Sequence, residues 1–459
     1  MLGVSLKLGF DRYSPHNLQL PWKLLQIGLL IFPLSPFLGA VSIGFATLFS
    51  WLRQNRKIIH TPINQGFAVF TILLLISSSL AVDKPAAFIG LFNLLPFFLV
   101  FAGLSALIQT GNQLKRIAWI FVIGSVPVLI MGFGQLFFGW TSQLQILVLD
   151  VAIASGGSPP GRMSSVFMHA NIFAAYLAIV FTLGLGLLLE RGIGDTSTSS
   201  VLRWGLGTGK TNKSLLRNPY FLLPLILAAD FAALILTNSR NGWAIAIVAC
   251  LGFALYQGWR LLVGAVTGIV ASVLLAAFAP APVAQLFRRI VPAFFWARLN
   301  DELYPDRPVA LMRKTQWQFA WSLTQQHPWT GWGLRNFSAL YKSHMNIDLG
   351  HPHNLFLMLA AETGLPATLL FFGLLGWILF SGIQLLQKSH SLITENRVII
   401  FSYLVVLIEW LLFNTVDVTL FDFRLNTISW LLLAAVSGIT YHYHQHDARK
   451  HEIGDRKQG

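Results

Sequence analysis

"YFLLPLILAADFAALILTNSRNGWAIAIVACLGFALYQ" (residues 220–257) decides the fold. Two apolar runs, near 220–236 and 242–257, flank a minimal turn whose only charge is Arg240. Crossing a bilayer takes about 20 apolar residues, fewer when a helix packs inside a bundle. The stretch therefore reads as a transmembrane hairpin, and the rest of the chain has the same character. Apolar residues make up 55% of 459 and charged residues 11%, with a mean hydropathy of +0.63. A soluble domain carries about 25% charged residues. The fold class is all-α, a polytopic membrane protein of about 12 transmembrane helices. Candidate spans lie near 22–35, 37–52, 66–82, 86–108, 117–138, 166–189, 220–236, 242–257, 261–279, 366–387, 398–416 and 425–441. The first two are short and split by "PLSP" (33–36), so 22–52 reads either as two spans or as one bent, re-entrant unit.

The formal charge of +14 suggests nucleic acid, but in a membrane protein it reads as loop charge that sets orientation. With the N-terminus inside, the inner side holds twenty Lys and Arg, while the short outer loops hold Lys84, Arg162, Arg240 and Arg424. That imbalance predicts cytoplasmic termini and makes the four outer exceptions conspicuous. The organisation expected is residues 1–279 for spans one to nine, a large outer loop at 280–352, a signature helix with three more spans at 353–441, and a basic tail at 442–459. Within the loop, Val309 to Gln326 can form an amphipathic helix with Trp317 and Trp321 one turn apart. Such helices often lie along a membrane surface, and a long ordered loop is more often functional than decorative. This one is expected to cover a cavity at the outer leaflet. The polar N-terminus shows no cleavable signal pattern. The single cysteine, Cys250, excludes a disulfide framework and a Cys-based metal site.

Several motifs can be weighed on chemistry. "WGLGTGKT" (204–211) imitates a phosphate-binding loop, but the required first glycine is Trp204 and the context is a polar connector at 190–219. The alternating His442, His444 and His446 read as a solvated tail in preference to a metal site. In "PPGRMSSVFMHANIFAAYL" (159–177) a tight turn directs Arg162, and Asn171 is expected to bond a neighbouring helix. Arg240 is either a headgroup anchor or a cation facing an anionic substrate. "GHPHNLFLMLAAETG" (350–364) carries His351, His353, Asn354 and Glu362. Two histidines so placed can ligate zinc, yet no third ligand is apparent nearby in sequence. Histidine ordinarily titrates near neutrality, which suits a general base. Glu362, nine residues past His353, points to nearly the opposite helix face and is expected to hold a backbone or arginine partner. Asp230 and Glu409 fall within spans, where ionisable groups are costly and usually functional or paired.

Together, "GRMSSVFMHANIFAAYL", "TNSRNGW" (237–243), "HPWTGWGLRNF" (327–337) and "HPHNLFLMLAAETG" resemble the O-antigen ligase and polymerase superfamily of bacterial membrane glycosyltransferases. The last fits that superfamily's signature of His, then Asn, Ser or Gln, nine residues, then Gly, with His353, Asn354 and Gly364. The resemblance runs from about residue 70 to 430. It departs at Ala170, where the superfamily usually has proline. It implies a GT-C-like, metal-independent enzyme without cofactor, in the cell inner membrane, with its site on the periplasmic side. The implied donor is a glycan on undecaprenyl pyrophosphate, and the implied acceptor is lipid A–core for a ligase or another lipid-linked repeat for a polymerase. Besides membrane lipid and these substrates no partner is implied, and no nucleic acid. Arg162, Arg240 and His353 map onto the superfamily's essential arginines and histidine. Arg335, His351, Asn354 and Glu362 are candidates for substrate contact. On this expectation the two guanidiniums, which grip phosphate through paired hydrogen bonds, hold the pyrophosphate, and His353 deprotonates the acceptor hydroxyl. Cyanobacterial chains of this type have also been labelled bicarbonate transporters, a rival that would rely on Asp230 and Glu409.

Overall fold

The computed structural model describes residues 16–146, 149–194, 221–300, 302, 308–388 and 396–455. The stretch at 204–211 and the connector from 195 to 220 lie outside the described residues. In chain order the helices are α1 (Gln19–Ile31), α2 (Pro36–Ile59), α3 (Pro62–Ser79), α4 (Lys84–Gly90), α5 (Leu95–Leu107) and α6 (Gly111–Phe137). A two-stranded hairpin follows, β1 (Ser142–Ile146) and β2 (Leu149–Ile153), antiparallel with Ser142 opposite Ile153. Then come α7 (Ala170–Gly194), α8 (Leu223–Leu236), α9 (Arg240–Tyr256) and α10 (Arg260–Phe278). The loop region holds α11 (Ala281–Arg288), α12 (Ala293–Leu299), α13 (Arg313–Gln326) and α14 (Asn336–Met345). Last are α15 (Leu355–Thr363), α16 (Leu365–Lys388), α17 (Arg397–Phe413) and α18 (Phe423–Asp455).

The chain is an all-α polytopic membrane protein; the described residues hold eight helices long and apolar enough to cross a membrane and two shorter apolar ones, α8 and α9. A backbone in hydrocarbon must satisfy its own hydrogen bonds, which favours helices. Each of the twelve expected spans corresponds to a helix. The α4–α5 span is broken at Leu91–Leu94, just ahead of Pro96, which has no N–H to continue the ladder. The region 22–52 is a helical hairpin. α1, at 13 residues, is about 20 Å long and shorter than the bilayer's hydrocarbon, whereas α2 has 24 residues. The small hairpin β1–β2 has no counterpart in the expected pattern. The histidine tail continues α18 as helix, so His442 and His444, two positions apart, project to different faces.

Helices run alternately between two ends. At one end, Lys115 pairs with Glu190 at 3.0 Å and Arg116 Nε donates to Gln26 at 3.0 Å. The opposite end gathers the starts of α7, α9, α15 and α18, and α13 of the long loop packs on α15. In the centre, 94% of the α18 span is buried and 78% of the α7 span, against 11% for peripheral α10. Lipid gives no hydrophobic reward for helix association, so small residues and close packing carry it. A Cβ at Gly438 of α18 would lie 2.1 Å from the carbonyl oxygen of Ile108, next to α5. Trp430 of α18 anchors an aromatic cluster with Phe67, Phe98 and Phe101, ring centroids 5.0–6.0 Å away.

Candidate functional site

The signature segment bends back before α15. His353 takes a left-handed backbone, φ 54°, a conformation that costs a non-glycine residue about 1–3 kcal/mol and persists only when surroundings impose it. Here the surroundings are explicit. His353 N–H donates to His351 Nδ1 (3.1 Å), and Arg313 of α13 donates to the carbonyls of His353 and Val416. Asn354 caps α15, its Oδ1 accepting Leu357 N–H (2.9 Å) while its Nδ2 donates to Thr415 O (3.0 Å). Trp317 donates to Pro352 O (3.0 Å). The amphipathic helix α13 thus buries Gln316, Ala320, Leu323 and Thr324 and holds the signature loop from above.

Asp417, between α17 and α18, reaches His353: its Oδ1 lies 3.0 Å from His353 Nδ1, with Asp417 9% exposed and His353 28% exposed. Burial alone would raise this carboxyl, but the hydrogen bond to His353 and the charges of His353, His351 and Arg313 outweigh it and hold it below the usual range. An ionised carboxylate only accepts. In its neutral form His353 therefore carries its hydrogen on Nδ1, which leaves Nε2 with a lone pair. His351 stacks on Phe421 (centroids 5.6 Å) and meets His353 edge-on (4.4 Å). Burial, reinforced by His353, pushes His351 down to about 4. Asp417 also supplies the third donor that the sequence reading did not find. Donor atoms of His351, His353 and Asp417 lie within 4.8 Å of one another, so a metal could be held, although each already serves another member of the group or its backbone.

The second wall comes from the turn before α7. Arg162 N–H donates to Pro159 O and Met163 N–H to Leu236 O, which pins the turn to the end of α8. The guanidinium spans two elements, Nε donating to Thr237 O (2.8 Å) and Nη2 to Asn171 Oδ1 (2.6 Å). Asn171 thus holds Arg162, not a neighbouring helix. Arg240 opens α9, whose start is capped by Ser239. Gly242 sits so close to Ala174 that a Cβ there would approach it to 2.8 Å. The first turns of α7 and α9 are therefore in contact, which sets Arg240, the first residue of α9, at the same end of the bundle as the turn that carries Arg162. His169, which sequence reasoning passed over, lies next to Asn171, the residue that holds Arg162, and accepts Asn171 N–H at Nδ1 (3.1 Å). Burial lowers its affinity for a proton, Arg162 and His353 lower it further, and Asp417 opposes them. Beside this turn an open cavity of about 840 Å³ is lined by Phe37, Val41, Ile153, Phe167, Met168 and Arg424. Arg424 lies over the Phe167 ring at 5.0 Å.

Not every candidate converges. Glu362 lies at the far end of α15, roughly 13 Å along the helix from His353. It is buried, and its Oε1 accepts Phe337 N–H (3.2 Å). Burial pushes it up to about 7, with the backbone N–H groups of Arg335 and Phe337 and the Arg335 charge pulling the other way. Arg335, exposed and with φ 62°, belongs to that end too. Asp230 and Glu409 are buried within the bundle, Glu409 accepting the Thr182 hydroxyl at 2.8 Å, about 18 Å down α7 from its start.

Residues 224–372, from α8 into α16, match the family model described as O-antigen ligase. This stretch is similar to the O-antigen ligase family. It supports placement in the O-antigen ligase superfamily, an O-antigen ligase-like function and a membrane glycosyltransferase-like enzyme. The family implies glycan and lipid-linked substrates. No curated protein matches the chain. The matched stretch contains Arg240, His351, His353, Arg335 and Glu362, while Arg162, His169 and Asp417 lie outside it.

Proposed function

We propose that the protein transfers a glycan from undecaprenyl pyrophosphate to an acceptor hydroxyl, on lipid A–core or a similar glycan, at the periplasmic face of the inner membrane. The observation that carries this reading is the His353–Asp417 pair, which leaves His353 Nε2 with a lone pair at a rim shared with Arg162. His353 takes the acceptor proton as the acceptor oxygen attacks the anomeric carbon. The carbon–oxygen bond to the diphosphate breaks, its electron pair leaves with the diphosphate, and the anomeric centre inverts. Arg162 and Arg240 bind the diphosphate before and after cleavage. The starts of α7, α9 and α15, each the positive end of a helix dipole, favour the same anion. Asp417 orients His353 and stabilises the imidazolium that forms. His351 and Asn354 shape the loop, and Arg335 and Glu362 frame the far end of α15 instead of touching reacting atoms. The apolar cavity beside Phe167 suits a lipid-linked substrate.

A positioned base is worth about 10²–10⁴-fold, and one donor to developing charge about 10²–10³-fold. Alanine at His353, Arg162 or Arg240 is expected to lower transfer by those factors at unchanged membrane levels. Normal transfer by His353→Ala removes the base assignment. Full activity is expected in excess EDTA, and loss restored by magnesium contradicts the metal-free reading. The surface glycan of a deletion strain separates ligase from polymerase: long polymer held on its lipid carrier means ligase, and single repeats on the final acceptor mean polymerase.

A further inference from the structure

We propose that His169 is a fourth substrate-contacting residue, an uncharged hydrogen-bond donor that grips the diphosphate of the lipid-linked glycan beside Arg162. The inference rests on the function proposed above and adds a group that lies outside both the signature and the stretch that matches the family model.

His169 immediately precedes α7, whose first N–H groups lack intrahelical partners. Asn171 N–H donates to His169 Nδ1 at 3.1 Å. A nitrogen that accepts cannot carry a proton, so the neutral ring bears its hydrogen on Nε2. With Nδ1 turned back onto α7, Nε2–H points away from the helix. Arg162, Asp417 and His353 all act on this imidazole, while Phe167 and Met168, just before it, line the adjacent cavity. The same Asn171 whose N–H locks the ring also accepts from Arg162 Nη2, so ring and guanidinium are set by one residue.

The two histidines of the rim therefore have opposite tautomers. His353 gives its Nδ1–H to Asp417 and offers a lone pair, which suits a base. His169 receives at Nδ1 and offers a hydrogen, which suits an anion. Charging His169 would break the bond from Asn171 and place a cation beside Arg162, and burial opposes it as well. A neutral donor has a further merit here. His353 becomes cationic when it takes the acceptor proton, and a neighbouring imidazolium would oppose that step. His169 supplies a hydrogen bond to the departing diphosphate without adding charge.

The bland alternative is that His169 only caps α7, and serine distinguishes the two. In full-length protein reconstituted in liposomes, His169→Ser keeps an oxygen acceptor for the cap and removes the donor. Expected are a wild-type thermal midpoint and membrane level, transfer lowered about 10²-fold, and weaker product inhibition by inorganic pyrophosphate. His169→Asn caps through Oδ1 and donates from Nδ2, so it recovers part of both. If His169→Ser transfers and is inhibited like wild type while Arg162→Ala and His353→Ala are inactive, His169 is a cap alone and the inference is overturned. If all three transfer normally, the function proposed above fails first. Should His169→Ser not accumulate, wild type and His169→Asn decide together: the same pH dependence of pyrophosphate inhibition in both over pH 6–8 supports the neutral donor, and inhibition that strengthens as the pH falls in wild type but not in His169→Asn overturns it.

Discussion

The two ends of α15 are nine residues apart and chemically opposite. At its start the backbone is strained at His353, the side chains are part-exposed, and one ring nitrogen keeps a lone pair that no residue of the signature consumes. At its end everything is closed. Trp332 N–H donates to Ala361 O (2.9 Å), Gly333 N–H to Glu362 O (2.8 Å), and Ser77 Oγ to Glu362 O (3.1 Å). The carbonyls that a helix leaves unpaired at its C-terminus are thereby satisfied, and Glu362 itself accepts backbone N–H groups. The contrast separates a reacting end from a framing end within one short signature. Spacing from histidine to glycine fixes both at once, since His353 must stand at the rim while Gly364 ends the helix against Trp329 and Thr330.

Variants at the two ends should separate activity from stability. The largest effect is expected at the start: His353→Ala should cost about 10²–10⁴ in turnover, measured by transfer per folded molecule, with little change in thermal midpoint. Next comes the end. Gly331 has φ +65°, and a Cβ there would lie 2.3 Å from the carbonyl carbon of Glu362. Gly331→Ala should lose about 1–3 kcal/mol from the backbone alone plus the clash, read as a lower midpoint and less protein in the membrane, while the surviving molecules transfer normally.

The smallest effects are in pH, and their signs oppose. His351 is depressed to about 4 from 6.5, so its contribution is present above 6.5 and is lost as pH falls toward and through 4. Glu362 is raised to about 7 from 4.5, so its contribution is present below 4.5 and is lost as pH rises through 7. Thermal midpoints across pH 4–8 should therefore lose their acid-side fall in His351→Asn and their neutral-side fall in Glu362→Gln. The same slopes in both variants as in wild type would remove the electrostatic half of the comparison.

The fold was legible because apolar length is a one-dimensional signal: every expected span coincides with a helix, including the closely spaced pair at 22–52. The β1–β2 hairpin was not, since its short alternating run sits between long apolar ones. Within the site, Arg162 and Arg240 stood out as cations on a side poor in them, and Glu362 took the backbone and arginine neighbours expected of it. Asp417 carried no comparable mark. It lies 64 positions from His353, in a loop between two spans, and only packing of α15 against the α17–α18 corner joins them. His169 was hidden differently, beside the more conspicuous Arg162 and Asn171, and its tautomer depends on one backbone N–H. A carboxylate or imidazole flanking a span on the same side as the exceptional arginines is the signal that would have found both.

The most direct measurement is single-turnover glycan transfer by purified full-length protein, comparing His353→Ala with Glu362→Gln at equal folded concentration. The account predicts that the first loses at least about a hundredfold and the second stays within about threefold of wild type. Equal losses, or a larger loss at Glu362, would place the reaction elsewhere and contradict the assignment of the two ends.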